Sequence, residues 1–253
     1  MLEIIQIPVL TDNYIYVLHD HRQQQTAVVD PAEAEPVIEL LNTKGWHLNY
    51  ILNTHHHNDH IGGNQALKAN TGCQIMASHF DSKRIPGVDI GLGEGDKFQI
   101  GASVFHVMST PGHTNGHICY YTPEAEALFC GDTLFSLGCG RLFEGSAGEL
   151  WNSLQKIKAL PKTTQIYCAH EYTLANAKFA ITIDPENQDL IKRYQEVIRL
   201  REQNLPTLPV ELATELLTNP FLRSEEIHYS NTFSKAHSEI DRFSHLRHLK
   251  DIF

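Results

Sequence analysis

Short apolar runs alternate with polar, turn-forming residues along the first two thirds of the chain. Ile4 to Pro8, Tyr14 to Leu18 and Thr26 to Asp30 are β-branched or aromatic runs bounded by Asn, Asp, Gln or Pro, the pattern of strands. Val37 to Leu41 has helical spacing and follows Pro36, a residue suited to a first helical turn. Tyr50 to Asn53, Gln74 to Ala77, Val104 to Met108, Ile118 to Tyr121, Leu128 to Cys130 and Ile166 to Cys168 are further short strands by the same criterion. Helical spacing returns at Leu150, Leu154, Ile157 and Leu160, and Pro161 stops it.

After Thr173 the pattern changes. Leu174 to Ile183 and Leu190 to Leu205 read as amphipathic helices, with Arg193, Glu196, Arg199 and Glu202 suited to a solvated face. Pro206-Thr207-Leu208-Pro209 breaks them, and a last helix is predicted over Glu239 to Lys250. The organisation is therefore a strand-rich α/β segment, residues 1–172, followed by a mostly helical segment, residues 173–253. No internal repeat interrupts it.

Charge narrows the partners. With 30 acidic against 20 basic residues the formal net charge is −10, which opposes general nucleic-acid binding, so any anionic substrate needs local cations. No apolar run nears the roughly 20 residues that span a bilayer. The start, Met1-Leu2-Glu3-Ile4-Ile5, lacks the basic region of a secretory signal. The cysteines (Cys73, Cys119, Cys130, Cys139, Cys168) are odd in number, and Cys119, Cys130 and Cys168 lie in apolar runs as small buried hydrophobes. Disulfides are not expected, a reducing cytoplasmic location is, and a monomer is the default because no exposed apolar stripe stands out.

The chemistry concentrates at Thr54-His55-His56-His57-Asn58-Asp59-His60, directly after a predicted strand. Imidazole nitrogen and carboxylate oxygen suit zinc, iron and manganese. Three other strands end the same way: Val104 to Met108 before His113, Leu128 to Cys130 before Asp132, and Ile166 to Cys168 before His170. In α/β sheets, loops converge outside the carboxyl ends of strands, so such side chains can meet there. In extended backbone residues i and i+2 point alike, so His55 and His57 can clasp one ion while His56 turns away to pack or hydrogen-bond. Asp59 and His60 follow a turn that Gly62 and Gly63 permit.

Two donor sets result. His55, His57 and His113 form one; Asp59, His60 and His170 form the other, with Asp132 as a bridging carboxylate. Seven donors exceed what one tetrahedral zinc takes, which favours two divalent ions. Two ions roughly 3.5–4 Å apart can hold a hydroxide between them, with the pKa of bound water lowered toward about 7. Zinc, iron and manganese all fit mixed His/Asp donors.

Other candidates carry less. Histidines 19, 21, 47, 79, 106, 228, 237, 245 and 248 lack nearby donors and read as structural or exposed; His117 suits either packing or support of a ligand. Gly91-Leu92-Gly93-Glu94-Gly95 carries an acid and no Lys-Ser/Thr ending, so it reads as a turn rather than a phosphate loop. Ser136 and Ser146 have no adjacent base for nucleophilic catalysis.

The order T-H-x-H-x-D-H, then His113, Asp132 and His170, resembles the metallo-β-lactamase superfamily, which implies a four-layer αββα sandwich. Cys139-Gly140-Arg141-Leu142-Phe143-Glu144-Gly145, His170-Glu171-Tyr172-Thr173 and Arg247-His248-Leu249-Lys250-Asp251 resemble, more narrowly, the glyoxalase II (hydroxyacylglutathione hydrolase) family, including its helical C-terminal domain. That resemblance implies hydrolysis of S-D-lactoylglutathione and related 2-hydroxyacyl thioesters to D-lactate and glutathione, the chemistry of methylglyoxal detoxification, by a metal-bridging hydroxide. It implies that Asp59 and Asp132 serve the reaction besides binding metal, and that Arg141, Phe143, Tyr172, Arg247 and Lys250 contact substrate. Some relatives carry Lys where Arg141 stands, and others Tyr where Phe143 stands. Loss of that hydroxyl would weaken binding by about 0.5–1.5 kcal/mol. The alternatives are a mononuclear-iron glutathione persulfide dioxygenase, which needs only two His and one carboxylate, and a non-catalytic or nucleic-acid-processing relative. Without the resemblance, Arg247 and Lys250 could simply complement a helix dipole and Tyr172 simply pack.

Overall fold

Burial of alternate side chains on two sheets builds the first part of the fold. The structure, a computed structural model, describes residues 2–225 and 238–253 and divides into two compact units, Met1–Ser109 with Asn115–Gly131, and Thr110–Thr114 with Asp132–Phe253. In the first, β1 (Leu2–Val9), β2 (Asn13–Asp20) and β3 (Gln25–Val29) form an antiparallel meander. The chain then crosses over through α1 (Glu35–Lys44) to β4 (Leu48–Leu52), and through α2 (Asn58–Ile61) and α3 (Asn64–Thr71) to β5 (Gln74–Ser78). With β6 (Val88–Leu92) these strands complete a sheet ordered β1 to β6, whose last three pairings are parallel. Parallel neighbours need such crossovers, and the helices cover the face they cross.

Ile15, Val17, Val28, Ile51 and Ile75 point to that helical side and pack with Val37 and Leu41 of α1 and Leu67 of α3. The opposite face meets a second antiparallel set of β7 (Lys97–Ile100), β8 (Ser103–Ser109), β9 (Ile118–Thr122) and β10 (Ala127–Gly131). Between the two, Tyr16 lies 5.7 Å from Phe129, and the Tyr120 hydroxyl donates to the Asn53 carbonyl at 2.7 Å. Complete burial holds the Tyr120 phenol well above its ordinary range, so it stays a donor.

The second unit contains a short hairpin, β11 (Leu134–Phe135) with β12 (Gly138–Cys139), then α4 (Ala147–Lys158), β13 (Gln165–Cys168), α5 (Thr173–Ile183) and α6 (Gln188–Glu202). The strand β14 (Val210–Glu211) pairs with β13, and α7 (Leu212–Thr218) and α8 (Glu239–Ile252) follow. Phe221 packs between Phe179 of α5 and Phe243 of α8. Among the described residues no helix is long and apolar enough to cross a membrane. The five cysteines are buried thiols.

Several readings change in three dimensions. Gly91 and Leu92 belong to β6, whose polar Asp89 is held by Lys68 and accepts from the Ile75 amide, while the rest of the segment is the expected turn, closed by the Asp96 amide donating to the Gly93 carbonyl at 3.2 Å. Gly62 and Gly63 have ordinary negative φ; what they permit is close approach, since a Cβ would stand 2.4 Å from the Ala32 carbonyl oxygen and 2.8 Å from that of Pro31. Arg193 is buried rather than solvated, donating to the Thr207 carbonyl and pairing with Glu196. Helix α7 and strand β7 escaped the sequence reading, being too short for periodicity to register. His19 is structural, stacked on Trp46 at 3.9 Å with burial lowering its pKa; His228 and His237 lie outside the described residues.

Helix α4 starts at a capping box: Ser146 Oγ accepts from the Glu149 amide, and Glu149 accepts from the Ser146 amide. That backbone bond and, second, the Ser146 hydroxyl donating to the same carboxylate at 2.8 Å hold the Glu149 carboxyl below its ordinary range. The hydroxyl's share, which a substitution at Ser146 removes, is present above the ordinary glutamate pKa and lost as pH falls through the lowered one. Ser146→Ala is expected to cost about 1 kcal/mol at neutral pH. Urea unfolding of the two proteins should show a gap that narrows in acid; a gap independent of pH would contradict the role given to Glu149.

Candidate active site

In the first unit the donor loop is organised by a buried carboxylate at the end of β3. Asp30 Oδ1 accepts from the Thr54 amide at 2.8 Å and Oδ2 from the Thr54 hydroxyl at 2.6 Å. The hydroxyl hydrogen being so engaged, Thr54 Oγ1 can only accept from His55 Nδ1 at 3.1 Å, which leaves the lone pair of His55 on Nε2. Asp30 Oδ2 also lies 3.0 Å from His60 Nδ1, which fixes that ring with Nε2 outward. His57, in extended conformation, caps α2, so Asp59 and His60 sit on its first turn. Asn13 Nδ2 donates to the Asp59 backbone and carboxylate, and Asn53 Nδ2 to the His60 carbonyl.

The outcome is a tight donor group. His55 Nε2 and His57 Nδ1 face one point 2.9 Å apart, and His60 Nε2 stands 3.6 Å from Asp59 Oδ2. Asp30, His55 and His60 each offer a ligand atom within 4.8 Å of the others. His56 turns the other way, 3.4 Å from buried Asp81, which is paired with Arg84. His117 is buried and stacks on His55 at 4.9 Å.

In the second unit His113, Asp132 and His170 come together. His113 Nδ1 lies 2.9 Å from the Arg141 carbonyl, which can only accept, so Nε2 carries the lone pair. That Nε2 is 3.5 Å from Asp132 Oδ2, and His170 Nε2 is 3.4 Å from Asp132 Oδ1. The carboxylate thus offers one oxygen to each imidazole, at the roughly 3.3 Å separation of two ligands on one tetrahedral zinc. Tyr172 stacks on His170 at 4.6 Å, and Phe143 stands edge-on to His113 at 5.2 Å. The donors present, neutral imidazoles oriented by their other ring nitrogen and carboxylates beside them, fit divalent metal.

A cavity of about 440 Å³ opens onto this group. His113, Asp132, Phe135, Cys139, Arg141, Phe143, Tyr172, Ala175, Asn176, Arg247 and Lys250 line it. Each substrate-side residue singled out from sequence is among them. Arg247 is buried and fixed, donating to the Cys139 carbonyl at 2.8 Å and to Asp251 at 2.9 Å, with its guanidinium over Phe221. Arg141 is exposed, its Nε 3.7 Å from the same carboxylate. Burial, then Arg247 and Arg141, lowers the Lys250 pKa, with Asp251 opposing. The Cys139 thiol is pushed up to about 11 by burial, so it is no nucleophile.

Sequence reasoning missed Asp30, although it obeys the rule that found the others: an acid placed where a buried strand ends. It also missed Asn176 and Phe135 of the cavity, which carry no chemical signature of their own.

Comparison with known proteins agrees with this geometry. Residues 10–170 match the metallo-beta-lactamase superfamily, and residues 171–253 match the hydroxyacylglutathione hydrolase C-terminus. The chain therefore belongs to the metallo-β-lactamase superfamily and has its α/β fold. The hydroxyacylglutathione hydrolase of Methylococcus capsulatus is 50% identical over 100% of this chain and 99% of its own. Within the superfamily, the chain belongs to the hydroxyacylglutathione hydrolase family. Among solved structures, ETHE1 from Myxococcus xanthus superposes with a TM-score of 0.71 at 23% identity, over 97% of this chain and 90% of its own. TTHA1623 in a di-iron-bound form superposes with a TM-score of 0.57 at 26% identity, over 66% and 91%.

Asp30→Asn keeps a residue that tolerates the φ of +46° found there but puts an amide against His60 Nδ1. Metal affinity is expected to fall about 10–100-fold, as for lost supports of metal-bound histidine. Metal content after equilibration against a competing chelator measures it; retention equal to the parent's would remove Asp30 from this role.

Proposed function

We propose that the protein hydrolyses S-D-lactoylglutathione and related 2-hydroxyacylglutathione thioesters to D-lactate and glutathione, with the cavity of the second unit as the glutathione site. The observation that carries this is the composition of that cavity: His113 and Asp132 at one part of its lining, with His170 beside Asp132, and Arg141, Arg247 and Lys250 at another. The family relationship supplies the substrate class. Residues 1–172 would carry the metal donors with Arg141, Phe143 and Tyr172 of the substrate site, and residues 173–253 would add Arg247 and Lys250.

Two divalent ions would be held by His55, His57 and His113 on one side and Asp59, His60 and His170 on the other, with Asp132 shared. The di-iron form of a relative supports the count; zinc, iron and manganese all suit these donors. When bound, such ions supply Lewis acidity and a water that loses its proton near neutral pH. This chain's own residues do the rest. Asp59, tied to Asn13, and Asp132 orient the attacking water. Arg141, Arg247 and Lys250 hold the carboxylates of glutathione in a protein whose net charge would otherwise repel them. Tyr172 sets one wall and its hydroxyl meets the glutathione backbone. The thiolate leaves without help, so a general acid is not required.

The persulfide dioxygenase alternative needs no C-terminal substrate domain, and the match of residues 171–253 weighs against it. The acidic composition weighs equally against nucleic acid.

Purified protein should consume S-D-lactoylglutathione, followed by loss of thioester absorbance. Exhaustive chelation should abolish turnover and added zinc, iron or manganese restore it; a fully chelated protein that keeps its rate would refute the metal role. Asp132→Ala should lower kcat by about 10³ or more, as when an essential group is lost. Lys250→Met should raise KM roughly 10–100-fold, the worth of a charged hydrogen bond. Because the Lys250 pKa is lowered, its charge disappears sooner than an ordinary lysine's as pH rises. KM should therefore climb on the alkaline side, and later in Lys250→Arg; identical profiles in the two proteins would count against the contact.

A further inference from the structure

The hairpin that supplies one side of the cavity is held from behind by a buried acid and two amides. Leu134 to Cys139 comprises β11 and β12, two residue pairs joined through Ser136 and Leu137. A hairpin this short does not stand alone in water, and Leu137 has a φ of +59°, a conformation leucine rarely adopts. Its polar groups are met by side chains. Glu215 of α7 accepts from the Leu137 amide at 2.8 Å and from the Ser136 hydroxyl at 2.8 Å. Asn219, just past α7, donates to the Phe135 and Gly138 carbonyls at 3.1 and 3.0 Å and to Glu215 at 2.9 Å. Asn176 of α5 donates to the Ser136 carbonyl, so close that a Cβ on Gly138 would stand 2.5 Å from its nitrogen.

Glu215 is fully buried. Burial raises its pKa, opposed by the Leu137, Ser136 and Asn219 bonds and by Arg193. A buried carboxylate stabilises a fold poorly compared with a well-packed apolar residue, but it offers acceptors in a geometry no apolar residue provides. Here those acceptors fix the turn between Phe135 and Cys139, and the chain then runs directly into Arg141. Phe135 in turn stands edge-on to His170 and Tyr172, at 5.9 and 5.2 Å.

We infer that Glu215 and Asn219 are positioning residues for substrate binding: they clamp the hairpin in the one conformation that presents Phe135, Cys139 and Arg141 to the cavity. What the cavity binds rests on the thioesterase reading; the clamp rests on the hydrogen bonds alone. Its working feature is acceptor geometry, not charge. A glutamine at 215 can accept from Leu137 and Asn219 with its oxygen and donate to the Ser136 hydroxyl with its nitrogen, whereas alanine leaves those groups without it.

Steady-state kinetics on the metal-loaded protein and hydrogen exchange of the Leu137 to Cys139 amides test this together. Glu215→Gln should keep KM within about twofold of the parent and leave exchange unchanged. Glu215→Ala should raise KM about tenfold, change kcat less than threefold, and speed exchange of those amides at least tenfold. If Glu215→Ala does not fold, Asn219→Ser is read for the same KM rise and faster exchange. A variant with parental KM and only a lower unfolding temperature overturns the inference, as does a Glu215→Gln protein as impaired as Glu215→Ala. If the parent hydrolyses no thioester, the substrate reading fails, while hydrogen exchange still decides the clamp.

Discussion

A carboxylate oriented against an imidazole is the interaction on which the donor geometry depends. Asp30 shows it most clearly. One side chain at the end of β3 takes up the Thr54 amide, the Thr54 hydroxyl and His60 Nδ1, and through Thr54 it also sets the tautomer of His55. An imidazole has two nitrogens, and engaging one defines what the other can do. Without that constraint four histidines in seven residues would be a flexible, pH-sensitive loop. With it His55 and His60 are preorganised electron-pair donors. In the second unit the Arg141 carbonyl does the same for His113.

The cation side of the cavity follows a parallel logic. Arg247, Arg141 and Lys250 repel one another, and Asp251 sits beside two of them as a counter-charge. Arg247 is fixed by the Cys139 carbonyl and the face of Phe221, while Arg141 remains exposed. A fixed cation orients an anionic ligand and an exposed one attracts it. In a chain of net charge −10 such a local reversal is what an anionic thioester would require.

The donors were legible because metal binding constrains residue type and position together: His or Asp, within a few residues of a strand end. The strands were legible for a similar reason, since a strand buried on both faces reads as an unbroken apolar run. Where polarity and burial part company the reading fails. Asp89 disguises β6 because its carboxylate is met by Lys68, and Gly91 because His79 packs where a side chain would stand. Arg193 looks solvated because its acceptor, the Thr207 carbonyl, is remote in sequence. Glu215 and Asn219 left no trace for the same reason: their partners lie about 80 residues away.

The amino-acid sequence by itself determined the fold class, the order of the His and Asp motifs and the local cations that line the cavity, because each is written in residue type and short-range spacing. Only the tertiary structure decided which imidazole nitrogen faces outward, that Arg247 is fixed while Arg141 is free to reach, and that a buried acid braces the hairpin beside the cavity. Those outcomes depend on hydrogen bonds between residues distant along the chain, and direction and pairing at that range arise only once the backbone has folded.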